Sequence, residues 1–250
     1  EWLRCDLKNE LSNIYFITQN NVKLPIFLSE DQDTMLEPPQ TDLQPGQLQS
    51  QSELLYILMD QSSSMESMNN AVYEGARELI QDAPENAQIV FSTFASNVNL
   101  GSIMERQDAL STVVCRVANG STCMFDAIVE AVCQIEAFPT KDPTKQTLIL
   151  ITDGQDTSSR KSHEDARAAL LKMNSRRSRV VFLGANQDAV MTAQRLGITS
   201  DNALTYASTT HGQRQAFRAA SEAQAAYRIS GSAQFTHAHR SVSMQQQSKH

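Results

Sequence analysis

The sequence predicts an α/β fold, a Rossmann-like, doubly wound and mostly parallel sheet with helices on both faces. Two observations carry that prediction. Uninterrupted apolar runs at 54–59, 148–151 and 180–183 each end in small polar residues, as buried parallel strands do where they emerge into loops. Stretches with apolar residues at helical spacing alternate with these runs, and such β/α alternation places helices on both faces of a parallel sheet. Right-handed crossovers then leave few topologies.

Residues 1–30 read as a separate arm. Two β-prone runs, 13–18 and 22–28, flank Gln19-Asn20-Asn21, which predicts a β-hairpin. Pro25 confines its strand to an edge or a bulge. A lone hairpin is marginal in water, so this one needs its own domain or a partner subunit to lean on. Residues 31–52 contain Pro38-Pro39, Pro45-Gly46 and many Gln and Ser, the composition of a linker.

The main domain is read as 53–228. After the first strand, Met68, Val72, Ala76, Leu79 and Ile80 recur at helical spacing through Asp82. A strand at 87–94 follows, and 97–104 is expected to pair with it as one short antiparallel edge strand. Helices are expected at 108–117 and 125–136, then a strand ending at Asp153 and a helix at 163–173. The strand at 180–183 runs into Gly184-Ala185-Asn186. A helix at 189–196 stopped by Gly197, a strand at 203–206 and a closing helix at 212–227 complete the domain. Residues 229–250, rich in Ser, Gln and His, read as a flexible polar tail. His237 and His239 in it could ligate a metal, but a histidine pair in such a tail is more often inert.

Bulk properties exclude some classes. No stretch approaches the roughly 20 apolar residues of a membrane span. No signal peptide is visible, and a first residue of Glu reads as a fragment or processed chain. Cys5, Cys115, Cys123 and Cys133 follow no paired spacing, which predicts thiols in a reducing, intracellular compartment. A net charge of −7 argues against non-specific nucleic-acid binding. The charge is uneven: residues 1–159 carry 8 Lys/Arg against 23 Asp/Glu, and 160–250 carry 13 against 5. Arg176-Arg177-Ser178-Arg179, the one dense basic cluster, reads first as a solvated loop before a strand, with contact to nucleic acid or an acidic subunit as the alternative.

Three short motifs carry chemistry. Asp60-Gln61-Ser62-Ser63-Ser64 follows the first strand, Gly120-Ser121-Thr122 precedes a helix, and Thr152-Asp153-Gly154 closes the 148–151 strand. Open α/β sheets place ligands at such strand ends. Carboxylates and hydroxyls are hard donors that suit Mg²⁺ or Ca²⁺. Taken singly, each motif has a plainer explanation as a cap or a turn. Together and in this order they resemble the von Willebrand factor A domain and its metal-ion-dependent adhesion site, or MIDAS.

The resemblance implies strand order 3-2-1-4-5-6. It also implies Ser62, Ser64 and Thr122 as direct metal ligands, with Asp60 and Asp153 acting mainly through water. Ser63 stands where many members have Gly. The segments 182–186, 196–198 and 216–228 look like a cytoplasmic subgroup of bacteria, phages and large DNA viruses.

The function so implied is Mg²⁺-dependent protein–protein docking, Ca²⁺ or Mn²⁺ being possible substitutes, in which a partner's Asp or Glu completes the metal shell. One alternative is an architectural subunit of a large assembly such as a virion, gripping neighbouring subunits. The enzymatic rival is a Mg²⁺-dependent phosphohydrolase with Asp60 as nucleophile. Haloacid-dehalogenase-type phosphatases want a second Asp where Ser62 stands and a helper lysine that no strand end supplies. Neither a phosphate-binding loop nor a nucleophile elbow is present. The chain is read as a non-enzyme.

Overall fold

The computed structural model describes residues 53–140, 142–185 and 189–245, with the backbone of two short strands before them. The chain divides into two compact units, Glu1–Gln47 and Leu48–His250. In the first, β1 (Tyr15–Ile17) pairs antiparallel with β2 (Lys23–Pro25), Phe16 opposite Leu24. The expected hairpin forms, with strands shorter than the β-prone runs. The linker at 31–52, Cys5, Asn186 and the last five residues lie outside the described residues.

The second unit is built on β3 (Leu54–Asp60), whose seven residues are all buried. Then follow α1 (Asn69–Gln81), β4 (Gln88–Phe94), β5 (Val98–Asn99), β6 (Ile103–Glu105), α2 (Arg106–Thr112) and α3 (Met124–Ala137). Next come β7 (Gln146–Thr152), α4 (His163–Ser175), β8 (Arg179–Gly184), α5 (Ala189–Arg195), β9 (Ala203–Thr205), α6 (Thr210–Ser230) and α7 (His237–Ser243). The sheet runs β5-β4-β3-β7-β8-β9, with β6 also on β4. Apart from β5 and β6, both antiparallel to β4, every pairing is parallel. Numbered from the first strand of this unit, with β5 and β6 counted as one edge strand, that is the expected 3-2-1-4-5-6 order.

Alternation sorts the core into two layers. Leu55, Ile57, Met59, Ile149, Ile151, Val181 and Leu183 pack with α1, α2 and α6. Leu54, Tyr56, Leu58, Leu148, Leu150, Val180 and Phe182 pack with α3, α4 and α5. Both faces of the central strands are covered, which is why those runs are continuously apolar.

Three expectations change. The single edge strand at 97–104 is two pieces, because the chain bends inward at Gly101. Its N–H donates to Ser92 Oγ at 2.9 Å, and a Cβ there would lie 2.2 Å from the Phe91 carbonyl oxygen. The helix placed at 108–117 starts at Arg106 and stops at Thr112. Beyond it the chain is held extended by Asn119 N donating to Gln61 O (2.9 Å) and by Gln61 Nε2 donating to Val117 O (3.1 Å).

The third change concerns the tail. Part of the segment read as flexible is α7, opened by a capping box between Thr236 and His239. It follows Gly231, whose φ of 70° caps α6 in the left-handed conformation. Arg240 Nη1 donates to Ala203 O at 2.8 Å, and Ser243 Oγ donates to Thr205 O at 2.8 Å. Two carbonyls on the open side of β9 are thus satisfied by side chains of a helix. Phe235 is buried against the core. A period of only two turns was too short to stand out from the polar composition.

The crossing of α1 and α6 is close enough that a Cβ on Gly75 would sit 2.2 Å from the Phe217 ring. Phe217 is itself buried, so overpacking would have to push a core aromatic off its position. Gly75→Ala is expected to destabilise the domain by about 1–3 kcal/mol, measured by urea unfolding. An unchanged midpoint would mean that the two helices can separate freely.

Candidate functional site

The carboxyl ends of β3 and β7 lie side by side, in register from Leu54 opposite Gln146 to Met59 opposite Ile151. Asp60 therefore ends its strand next to Thr152. It is fully buried and both its oxygens are engaged: Oδ1 accepts from Ser62 N at 2.8 Å and Oδ2 from Thr152 Oγ1 at 2.7 Å. Burial lifts its carboxyl above the ordinary value. Hydrogen bonds from Thr152 and Ser62 pull the other way, and the charge of Asp153 adds to the lift.

The bond to Ser62 N bends the chain out of the strand into a single 3₁₀ turn, Ser63–Met65. That turn carries Ser64 over the site. Ser62 Oγ lies 3.1 Å from Ser64 Oγ, which donates to Asp153 Oδ1 at 2.7 Å. Burial also raises the Asp153 carboxyl. Ser63 takes no positive φ, so the glycine common at this place is not required for the turn.

Thr122 enters from the loop before α3. Its buried side chain and that of Ser64 flank Gly154: a Cβ built there would lie 3.6 Å from Ser64 Oγ and 4.0 Å from Thr122 Oγ1. The loop is pinned on three sides. Ser63 N donates to Gly120 O at 3.1 Å, Cys123 N to Ala95 O at 2.8 Å, and Thr122 N to Thr157 Oγ1 at 2.9 Å. Gly120 has φ 83° and sits against Ser96, where a Cβ would come within 2.5 Å of Ser96 Oγ. The structure thus brings Asp60, Ser62, Ser64, Thr122 and Asp153 to one place, from sequence positions up to 93 residues apart.

Other residues at the site escaped sequence reasoning. Thr152 belongs to the Thr-Asp-Gly motif, but its role as the donor that holds Asp60 follows only from strand register. Thr157, Ser96 and Ser121 lock the loops through hydroxyls, a chemistry too common to stand out. Tyr206, at the end of β9, is fully buried and its hydroxyl has no partner among the described residues. Burial, and then the charges of Asp153 and Asp60, hold its proton well above the ordinary phenol value.

All these donors are oxygens. Among the described residues no three His, Cys, Asp or Glu side chains cluster as a metal site would, because here hydroxyls make up the number. Two partly or wholly buried carboxylates beside three hydroxyls create a negative, hard-donor environment, which fits a small divalent cation. A softer metal would find neither thiolate nor imidazole.

Fold and site together define an α/β domain with a cluster of hydroxyl and carboxylate oxygens at the carboxyl end of its parallel sheet. The model of the von Willebrand factor type A domain matches residues 55–226, and the chain belongs to that family. Solved structures with the same fold include a von Willebrand factor type A protein from Catenulispora acidiphila, at 18% identity and TM-score 0.56 over 69% of this chain and 42% of that one. Another is proximal thread matrix protein 1 of the mussel byssus with a zinc-occupied MIDAS motif, at 18% identity and TM-score 0.55 over 68% of this chain and 45% of that one. The PilB minor pilin of Streptococcus sanguinis is 14% identical, with TM-score 0.57 over 74% of this chain and 64% of that one. These likenesses are of fold, and the chain spans less than half the length of the first two. None of the curated proteins matches it.

With divalent ions removed, Thr152→Val leaves Asp60 Oδ2 without its donor, at an expected cost of about 1–3 kcal/mol near pH 7. Because the folded-state carboxyl is raised above 3.8, ionising it costs stability as pH rises above that value, so the loss should shrink toward pH 4. Urea unfolding at both pH values measures this. Equal losses would show that the hydroxyl does not serve the carboxylate.

Proposed function

We propose that this chain is a divalent-cation-dependent docking module whose MIDAS-type site accepts an acidic side chain of a partner protein. The convergence of Ser62, Ser64, Thr122, Asp60 and Asp153 carries the reading. In it, Ser62, Ser64 and Thr122 would hold the ion, and Asp60 and Asp153 would act through water. Mg²⁺ keeps several waters when bound by few protein groups, so a carboxylate from outside can replace one. Ca²⁺ or Mn²⁺ would serve in the same donor set. The zinc-occupied MIDAS motif of proximal thread matrix protein 1 shows that this fold can hold a divalent ion there in another protein.

Geometry favours binding over hydrolysis. A nucleophilic Asp60 would need an oxygen facing substrate, yet the residue is buried and both oxygens accept hydrogen bonds. No helix among the described residues is long and apolar enough to cross a membrane. Cys123 and Cys133 are not in disulfides, in keeping with the intracellular location we propose.

Calorimetric titration of the metal-free chain with Mg²⁺ is expected to show one site, lost in Ser62→Ala and Thr122→Ala. Saturation at about 100 times Kd stabilises by roughly 2.7 kcal/mol, a rise of roughly 5–10 °C in Tm for a domain of this size. Affinity should fall from pH 7.5 to pH 5, because the raised carboxyls of Asp60 and Asp153 bind competing protons sooner than exposed ones do. Undiminished Mg²⁺ binding by both alanine variants would sink the proposal, as would turnover of a phosphate ester abolished by Asp60→Asn.

A further inference from the structure

A cavity lies at the other end of the sheet. It holds about 720 Å³ and is lined at the strands' amino ends by Glu53, Thr147, Lys145 and Arg177, and by Gln224 and Tyr227 of α6. Strands of seven residues put it about 20 Å from Asp60.

Its charges do not balance. Glu53 is taken up by Arg228, whose Nε donates to both carboxylate oxygens at 2.8 and 3.0 Å, and by Gln224 Nε2 at 3.1 Å. Asp142, also in the lining, accepts from Thr144 N at 3.0 Å and from its hydroxyl at 2.5 Å. Lys145 and Arg177 have no carboxylate within ion-pair reach among the described residues.

A third cation lies behind the wall. Arg179 pairs in register with Thr147 and is only 4% exposed. Its Nη1 donates to Ala223 O at 3.0 Å and to Gln224 Oε1 at 2.9 Å, and the guanidinium stands 4.9 Å from the centre of the Tyr227 ring. Nε and Nη2, the edge that grips a carboxylate or phosphate in a fork, have no partner among the described residues. Burial lowers this guanidinium to about 10, so it stays charged at neutral pH.

Arg177 adds a backbone observation. It is the one non-glycine residue with positive φ, 62°, among those described, at a helix end where glycine fits best. The Tyr227 hydroxyl donates to its carbonyl at 3.2 Å. A long cationic side chain is thus kept at the cavity mouth against its conformational preference.

We infer that this cavity binds a small phosphate monoester, its phosphate between Lys145 and Arg177 and its organic body along Tyr227 and Pro84. Lys145 and Arg177 in the lining and Arg179 behind it outnumber Asp142, the one lining carboxylate without an ion-pair partner among the described residues, which suits an anion, and phosphate carries about −1.5 to −2 near pH 7. Within an otherwise polar lining, the Tyr227 ring and Pro84 offer the surface for an attached flat group. The site is independent of the divalent cation proposed above.

The test titrates inorganic phosphate and adenosine 5′-monophosphate into the full chain in chelator, followed by calorimetry. Saturable one-site binding is expected, with the nucleotide at least as tight as phosphate. Lys145→Ala and Arg177→Gly should each weaken it roughly tenfold, the worth of one charged hydrogen bond. Arg177→Gly should leave Tm unchanged or raised, since glycine is at ease at that φ, so its lost binding cannot be misfolding. Ser62→Ala should bind both anions as the wild type does, which separates this result from failure at the metal site. The inference is overturned if neither anion binds at millimolar concentration, or if both cation variants bind normally. Binding that requires Mg²⁺ and vanishes in Ser62→Ala would also overturn it. So would sedimentation with phosphatidic acid vesicles, lost in Arg177→Gly, without nucleotide binding, since that assigns the cations to a membrane.

Discussion

The hydrogen bond from Thr152 to Asp60 ties together the ends of the two central strands, and the site is arranged around it. A carboxylate buried without partners costs several kcal/mol, so Asp60 can occupy the end of β3 only where donors meet it. Parallel pairing with β7 supplies one at 2.7 Å. The chain itself supplies the other by folding back so that Ser62 N reaches Oδ1. That same fold throws Ser64 over Asp153, the residue next to Thr152, and the hydroxyls and the two acids come together. A one-residue slip between β3 and β7 would turn Thr152 to the opposite face. It would leave Asp60 buried and unmet.

This dependence explains what was legible in the sequence. Strands covered on both sides must be apolar throughout, so β3, β7 and β8 announce themselves. Helices packed on a sheet keep a 3.6-residue period, so α1, α3, α4 and α6 do as well. What local pattern could not reveal was decided by contacts distant in sequence. Residues 113–119 carry enough apolar side chains to continue α2, yet the backbone of Val117 and Asn119 is bound to Gln61 instead. The edge strand breaks because Ser92 binds Gly101. Seven-residue α7 has too few turns to show a period, and its value lies in closing the β9 edge, a property of the assembled sheet. Unpaired edges invite association with other chains, and here Arg240 and Ser243 act as a substitute for a neighbouring strand.

The candidate site was legible for a different reason. Five residues of three types at strand ends and a helix start form a pattern that few functions need, so spacing could point to them. Their supports are Thr, Ser and Tyr hydroxyls that could have faced water anywhere. Thr152 could have been inferred by pairing β3 with β7 residue by residue, but Tyr206 could not, since β9 contributes only three residues. The basic cluster at 176–179 shows the limit of composition. Three neighbouring arginines have three different fates: Arg176 faces Glu136 at 3.7 Å, Arg177 sits at a cavity mouth and Arg179 lies beneath its wall. A solvated loop describes the exposed Arg177 but not Arg179, which is buried in the first position of β8.

Helix α6 is the element common to both ends of the domain. Its first turn is capped by Thr209, whose hydroxyl accepts from Gly212 N at 3.1 Å, and a Cβ on Gly212 would meet Ser243 O of α7 at 2.7 Å. Midway, Phe217 fills the space left by Gly75. Near its end Gln224 spans Glu53, Thr147 and Arg179 with hydrogen bonds of 2.8 to 3.1 Å. These attachments differ in kind. The first two are steric and admit only one seating, because packed interiors do not deform continuously. The third is a polar network, which low dielectric makes strong when complete and costly when broken. Sliding α6 along the sheet would therefore have to break the steric and polar contacts together, and the helix that borders the anion cavity is held by the same core that positions Asp60.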